Sequence, residues 1–269
     1  MKRLILILAI VSFTFIISII SLLNIKHKRT PLKRESVSSE ILLNQAKEFE
    51  QKSDLISAKA VYQKLIEDFP NSSQIAQWQK KIEEINMKLL FSPMITKGST
   101  LYEIKPNDTL TKIAKEFNTT VELIMQANNL KSDRIYPGRK IKVYTQPFSI
   151  IVDKSENTLI LKSNEEVIRT YIVSTGENNS TPTGTFKIVT KLKNPTWYKT
   201  GAVVPPSSPE NILGTRWLGF DLKGYGIHGT TEPQSLGKSI TQGCIRMANP
   251  DVEELYSIVP LGTEVTIVD

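Results

Sequence analysis

The residues with chemical potential are few, and their scarcity organises the reading. The 269-residue chain holds one cysteine, Cys244, and two histidines, His27 and His228. His27 lies between Lys26 and Lys28, just past a long uncharged run, so His228 is the sole imidazole in the body of the chain. It precedes Cys244 by 16 positions. Both sit among glycines, as Gly226-Ile227-His228-Gly229 and Gln242-Gly243-Cys244. A thiol needs a base or cation beside it to be an effective nucleophile at neutral pH, and imidazole is the usual one. Small neighbours let backbone amides approach a reacting carbonyl. Counted alone, the pair reads equally well as a small buried hydrophobe and a core histidine. One cysteine excludes an intrachain disulfide framework. One thiol and one imidazole are too few for the usual structural metal site, and no cofactor is expected.

The elements that must hold this pair are mostly strands. Residues 149–153, 158–162, 167–173 and 185–190 alternate in polarity between Gly, Pro, Asn and Ser turns, with Asn157 and Asn164 marking hairpins. One helix starts at Asn249-Pro250-Asp251, where Asn249 suits the cap and Pro250 the first helical position. Leu261-Gly262-Thr263 then turns into a last strand, 264–268. The pattern predicts a mainly β sandwich or barrel-like core over residues 146–269.

The stretch GIHGTTEPQSLGKSITQGCIRMANPDVEELY, residues 226–256, resembles the active-site signature of the L,D-transpeptidases, the YkuD-like or ErfK-like family. STPTGTFKIV at 180–189, LGTRWLGF at 213–220 and LGTEVTIVD at 261–269 also fit. The resemblance implies that Cys244 is the nucleophile and His228 its base. It implies that the Gly229 carbonyl orients the imidazole and that the Gly243 and Cys244 amides form an oxyanion hole. Arg246 would steady either a substrate carboxylate or the loop, Thr241 would help hold the site, and Tyr198, Trp217 and Tyr225 would line a groove. Many members carry a second His before the Gly-Cys pair. Gln242 stands there instead and cannot titrate, though it still donates and accepts hydrogen bonds.

Upstream, residues 101–144 read strand, helix, helix, strand. Asp108 or Thr109 can cap the first helix and Thr119 or Thr120 the second, and Pro137-Gly138 turns into the closing strand. NDTL, IA, NNL and IYPGRKIKV in this order resemble a LysM module, with Asn107 where that family usually has Gly. The resemblance implies an α+β βααβ unit over 97–145 that binds an N-acetylglucosamine glycan, with Asp108, Thr109, Asn128 and Asn129 among the groove residues.

Residues 40–96 read as helical, with stripes at Ala58, Val61, Tyr62, Leu65 and Ile66, and at Ile75, Trp78, Ile82 and Ile85. Pro70 interrupts them. AKAVYQKLIEDFPNS resembles a tetratricopeptide repeat, but only about one and a half repeats are present, where stable arrays need stacked neighbours. A spacer is the plain reading and a protein-binding surface the other.

Residues 4–25 carry no charge. As a helix at about 1.5 Å per residue they span about 33 Å, enough for a bilayer core, and with no convincing small-x-small cleavage site after Leu23 they read as an uncleaved signal anchor, a cleaved signal being the alternative. The net charge is +7, and residues 1–39 hold seven Lys/Arg against one Glu. No folded stretch carries a basic stripe, so nucleic acid is not an expected partner. The charge on the C-terminal flank of residues 4–25 would by itself place the rest of the chain in the cytoplasm. The downstream modules argue for the opposite side, facing the periplasm or cell wall.

Together these readings predict an envelope-anchored transpeptidase whose partners are the membrane, peptidoglycan glycan strands and stem peptides. An L,D-carboxypeptidase of the same fold, a non-catalytic wall-binding protein and another kind of thiol peptidase are the alternatives.

Overall fold

The computed structural model describes residues 32–199 and 201–269. The expected membrane segment, residues 4–25, lies outside them. Among the described residues no helix is long and apolar enough to cross a membrane. The chain divides into two compact units, one ending at Ile75 and the other running Ala76–Asp269. The helical stretch 40–96 is split between them.

In the first unit, α1 (Leu32–Gln51) and α2 (Leu55–Asp68) are separated by a short turn in which Ser53 has φ 59°. Asp54 caps α2, its carboxylate accepting from the Ser57 N–H at 3.1 Å. The helix ends before Pro70, which has no N–H to continue it. Ala58, Tyr62 and Leu65 are the buried positions of α2, as the helical spacing predicts.

The chain enters the second unit along α3 (Ile75–Leu90). A small module follows: β1 (Ser99–Glu103), α4 (Leu110–Glu116), α5 (Val121–Ala127) and β2 (Lys140–Tyr144). Thr109 caps α4 and Thr120 caps α5, each accepting a backbone N–H three residues on. β1 and β2 pair antiparallel, Tyr102 opposite Ile141. Tyr102, Ile104, Leu110, Ile113, Ile124, Ile141 and Val143 form its core.

The remaining strands are β3 (Phe148–Asp153), β4 (Thr158–Ser163), β5 (Glu166–Gly176), β6 (Gly184–Lys193), β7 (Trp197–Lys199), β8 (Ala202–Val204), β9 (Arg216–Phe220), β10 (Gly226–His228), β11 (Ser239–Thr241), β12 (Ile245–Met247) and β13 (Glu264–Val268). β7 and β8 form a separate hairpin. The others form one sheet in the order β11-β5-β12-β10-β9-β6-β13-β3-β4, and β4 also pairs with β5. That last pairing closes the sheet, so the expected sandwich or barrel-like core is a barrel with β11 laid on one strand. Closure leaves few free edges for another chain to pair with. Long β5 makes it possible: its first half pairs with β4 and its end with β12 and β11.

Helix α6 (Asn249–Ile258) covers the barrel, burying Val252, Leu255 and Ile258. The module and α3 are packed onto the same core. Leu123 of α5 and Met87 and Leu90 of α3 share one apolar cluster with Phe148, Ile150 and Val259. The Thr120 hydroxyl donates to the Ser257 carbonyl, and Lys193 pairs with Glu122 at 2.8 Å. The Asn86 amide donates to Val167 O at 3.0 Å, and Glu83 accepts both the N–H and the hydroxyl of Thr170.

Candidate active site

β10 and β12 run parallel, with Ile227 opposite Ile245 and His228 opposite Arg246. Ile227, Ile245 and Met247 are in the apolar core. Side chains alternate along a strand, so His228 and Arg246 take the other face, and Cys244 stands immediately before β12. Extending the register by one places Cys244 opposite Gly226. With strands about 4.8 Å apart and a rise of about 3.3 Å per residue, regular strand spacing would put the Cα atoms of Cys244 and His228 about 8 Å apart.

Two hydroxyls hold the cysteine loop. Thr241 Oγ1 accepts from the Gly243 N–H at 3.2 Å and donates to the Cys244 carbonyl at 2.6 Å. Thr181 Oγ1 accepts from the Gly176 N–H at 2.7 Å and donates to the Gly243 carbonyl at 2.9 Å. Gly243 itself has φ +123°, and a Cβ there would stand 2.8 Å from the Tyr225 ring edge and 2.9 Å from the Ser180 carbonyl. No larger residue fits.

His228 is 3% exposed, and its ring stacks on Trp217 with centroids 6.0 Å apart. Nδ1 lies 2.6 Å from the Gly229 carbonyl. A carbonyl can only accept, so a neutral ring carries its proton on Nδ1 and leaves the Nε2 lone pair available. Burial pushes the imidazole pKa down to about 4, with the Arg246 charge adding to the depression and the Gly229 carbonyl opposing it. Burial also pushes the Cys244 thiol above its ordinary range, with the Gly226 N–H and the Arg246 charge pulling it back. At neutral pH the site therefore rests as thiol and neutral imidazole rather than as an ion pair. Cys244 is partly exposed, with Sγ 3.4 Å from the Gly224 carbonyl.

Residues 147–267 match the L,D-transpeptidase catalytic domain (YkuD), and residues 102–143 match the LysM domain. The L,D-transpeptidase YkuD of Bacillus subtilis is 39% identical over 173 residues, which cover 62% of this chain and 97% of that protein. The chain belongs to the YkuD L,D-transpeptidase family. L,D-transpeptidase YqjB of the same organism is 42% identical over 126 residues, 45% of this chain and 70% of that one. A solved L,D-transpeptidase from Mycobacterium smegmatis aligns at 22% identity over 49% of this chain and 64% of that chain, with a TM-score of 0.39.

Within this L,D-transpeptidase domain the remaining expected residues take different places. Arg246 is 8% exposed and turned to its own loop: Nη1 donates to Glu232 Oε2 and to Ser235 Oγ, both at 3.0 Å. Its Nε is buried without a protein partner. Gln242 is exposed, and Tyr225 is half-buried against Gly243. Tyr198 stands on the outer hairpin, 77% exposed and opposite Val203.

In the LysM module, Asp108 accepts from the Tyr102 hydroxyl and the Lys105 N–H, both at 2.8 Å. Asn128 exchanges hydrogen bonds with both backbone groups of Lys142 and donates to Ile124 O. These two side chains are committed to the module's own frame, as is the exposed Thr109, which caps α4; Asn129 is exposed.

Asn249 departs from its expected role. The cap position is Ala248, with no side-chain bond. The Asn249 side chain instead accepts from the N–H groups of Thr215 and Thr230 at 3.2 and 3.1 Å. Two loop amides beside His228 outcompete the helix end for it. Sequence reasoning assigned no role to Thr181 or to the Glu232–Ser235 loop. Thr181 lies inside the STPTGTF motif, which was the available signal.

Proposed function

We propose that this chain is a peptidoglycan L,D-transpeptidase that works through a thioester on Cys244. The observation that supports the reading is the parallel pairing of β10 with β12, which sets His228, its Nδ1 held at the Gly229 carbonyl, beside the strand that Cys244 immediately precedes. His228 Nε2 takes the thiol proton as Sγ attacks the carbonyl of diaminopimelate in a stem tetrapeptide. The new S–C bond makes a tetrahedral oxyanion, which the loop amide of Cys244 stabilises. The Gly243 amide, expected as its companion, is already given to Thr241. Collapse breaks the C–N bond, and the protonated His228 returns its proton to the departing D-Ala amine. The amine of a neighbouring diaminopimelate then attacks the thioester, the thiolate leaves and is reprotonated, and a cross-link between third residues results. Water in place of the amine makes the same chain an L,D-carboxypeptidase.

The LysM module supports a wall setting, because attachment to glycan raises the local concentration of stem peptides even when each contact is weak. Residues 4–25 would anchor the chain to the membrane, with the catalytic part facing the periplasm or cell wall. The helices of the first unit remain a candidate surface for a protein partner.

The test is muropeptide analysis by mass spectrometry, wild type against Cys244→Ala. Loss of tetrapeptides with gain of third-residue cross-links, in wild type alone, supports transpeptidation, and gain of tripeptides supports the carboxypeptidase. Identical profiles for wild type and variant overturn the enzyme reading and leave wall binding.

A further inference from the structure

We propose that Thr181 is a positioning residue for acyl transfer, its hydroxyl aiming the Cys244 N–H at the oxyanion. This rests on Cys244 being the nucleophile.

Thr181 is 1% exposed, and its hydroxyl is used in both directions, accepting from Gly176 N–H and donating to Gly243 O. One proton and one lone pair committed to two backbone groups leave the rotor a single setting. The Gly243 carbonyl and the Cys244 N–H belong to the same peptide plane. That plane is trans, as no cis peptide is present among the described residues, so its C=O and N–H point in opposite directions. Holding the oxygen at Thr181 therefore turns the Cys244 N–H away from Thr181.

Thr241 already occupies the peptide groups on either side, the Gly243 N–H and the Cys244 carbonyl. Between them the two threonines leave the Cys244 N–H as the loop donor that neither takes up. The pin is needed because Gly243, with no side chain and φ +123°, offers little steric resistance to a swing of this plane.

Thr181 is itself braced from behind. Lys154, 8% exposed, donates to the Thr181 carbonyl at 3.1 Å and to Asn179, and pairs with Asp269 at 2.7 Å. A cation from the start of the barrel thus sets the loop whose hydroxyl sets the amide.

The test separates chemistry that develops an oxyanion from chemistry that does not. In the full chain, Thr181→Val keeps the side-chain shape and removes the hydroxyl. Acylation of Cys244 by a carbapenem, followed by intact mass, is expected to slow by about 100-fold, the effect of losing one oxyanion donor. For tetrapeptide turnover, kcat falls and KM holds. Alkylation of Cys244 by iodoacetamide, a displacement at sp³ carbon with no oxyanion, stays within about twofold of wild type. Thr181→Ser restores acylation. Lys154→Met, which leaves the hydroxyl in place, gives the same split at about 10-fold and serves if the valine variant does not fold. Acylation at the wild-type rate in Thr181→Val, or alkylation falling in step with acylation, overturns the proposal. Failure of the wild type itself to acylate at Cys244, with iodoacetamide still modifying it, would instead overturn the nucleophile reading.

Discussion

Arg246 stands directly opposite His228 in the parallel register of β10 and β12, and both side chains are buried. Two basic groups side by side away from water cannot both hold a charge cheaply. Burial is the main reason the imidazole stays neutral, and the guanidinium, always protonated and paired with Glu232 at 3.0 Å, adds to it.

The pH profile of the reaction follows. With His228 titrating at about 4, kcat/KM for tetrapeptide is expected to be level from pH 7 to about 5 and to fall with a midpoint near 4. An acid limb at the ordinary histidine value of about 6.5 would show that the ring is not buried in this way.

Stability carries the same signature. An unfolded histidine takes its proton near pH 6.5, the folded one at about 4. Between those values the unfolded state binds more protons. The contribution is full above about pH 6.5 and is lost as pH falls toward 4, by about 3 kcal/mol in total. Urea unfolding of wild type and His228→Gln at pH 7 and 4.5 should show a steeper loss in wild type, while carboxylates common to both cancel.

Asn249 should behave as an acceptor rather than a cap. Asn249→Leu leaves the Thr215 and Thr230 N–H groups unpaired, at about 1–3 kcal/mol each. Asn249→Asp keeps the acceptor and retains most of the stability. Equal losses in the two variants, read by denaturant midpoints, would argue against this role.

Gly243→Ala combines a positive φ with a Cβ too close to Tyr225 and Ser180. It should cost about 1–3 kcal/mol and lower acylation of Cys244 at least 10-fold, as the loop shifts to relieve the clash. Thermal melts and carbapenem acylation rates measure the two effects.

The LysM module and the barrel should unfold together. Leu123 sits in the barrel's apolar cluster and the Thr120 hydroxyl is bonded to Ser257 O. Leu123→Ala, at about 2–5 kcal/mol, should lower one shared calorimetric transition of the second unit. A separate early transition for the module would show that it is only tethered.

Much of the frame was legible because it rests on local rules. Asp54, Thr109 and Thr120 cap helices whose stripes repeat at helical spacing. Asn157 and Asn164, both with positive φ, turn the hairpins among β3, β4 and β5. The strands that carry the chemistry were not legible. β10, β11 and β12 are three residues each, too short for a period of two to show, and they are defined by their neighbours in the sheet. Asn249 was misplaced for a related reason. Its cap role is a local preference, and the two amides that claim it come from residues 19 and 34 positions away.

The order of residues alone, one thiol, one imidazole and the glycines around them, determined which groups were available for catalysis and which family they resemble. Only the tertiary structure decided their state: the closed sheet that lays His228 beside Arg246, the burial that keeps the ring neutral, and the two threonines that hold the peptide before Cys244. Composition and spacing are properties of the chain. Proton affinity and the direction of an amide depend on which atoms surround them, and that is settled only when distant segments pack.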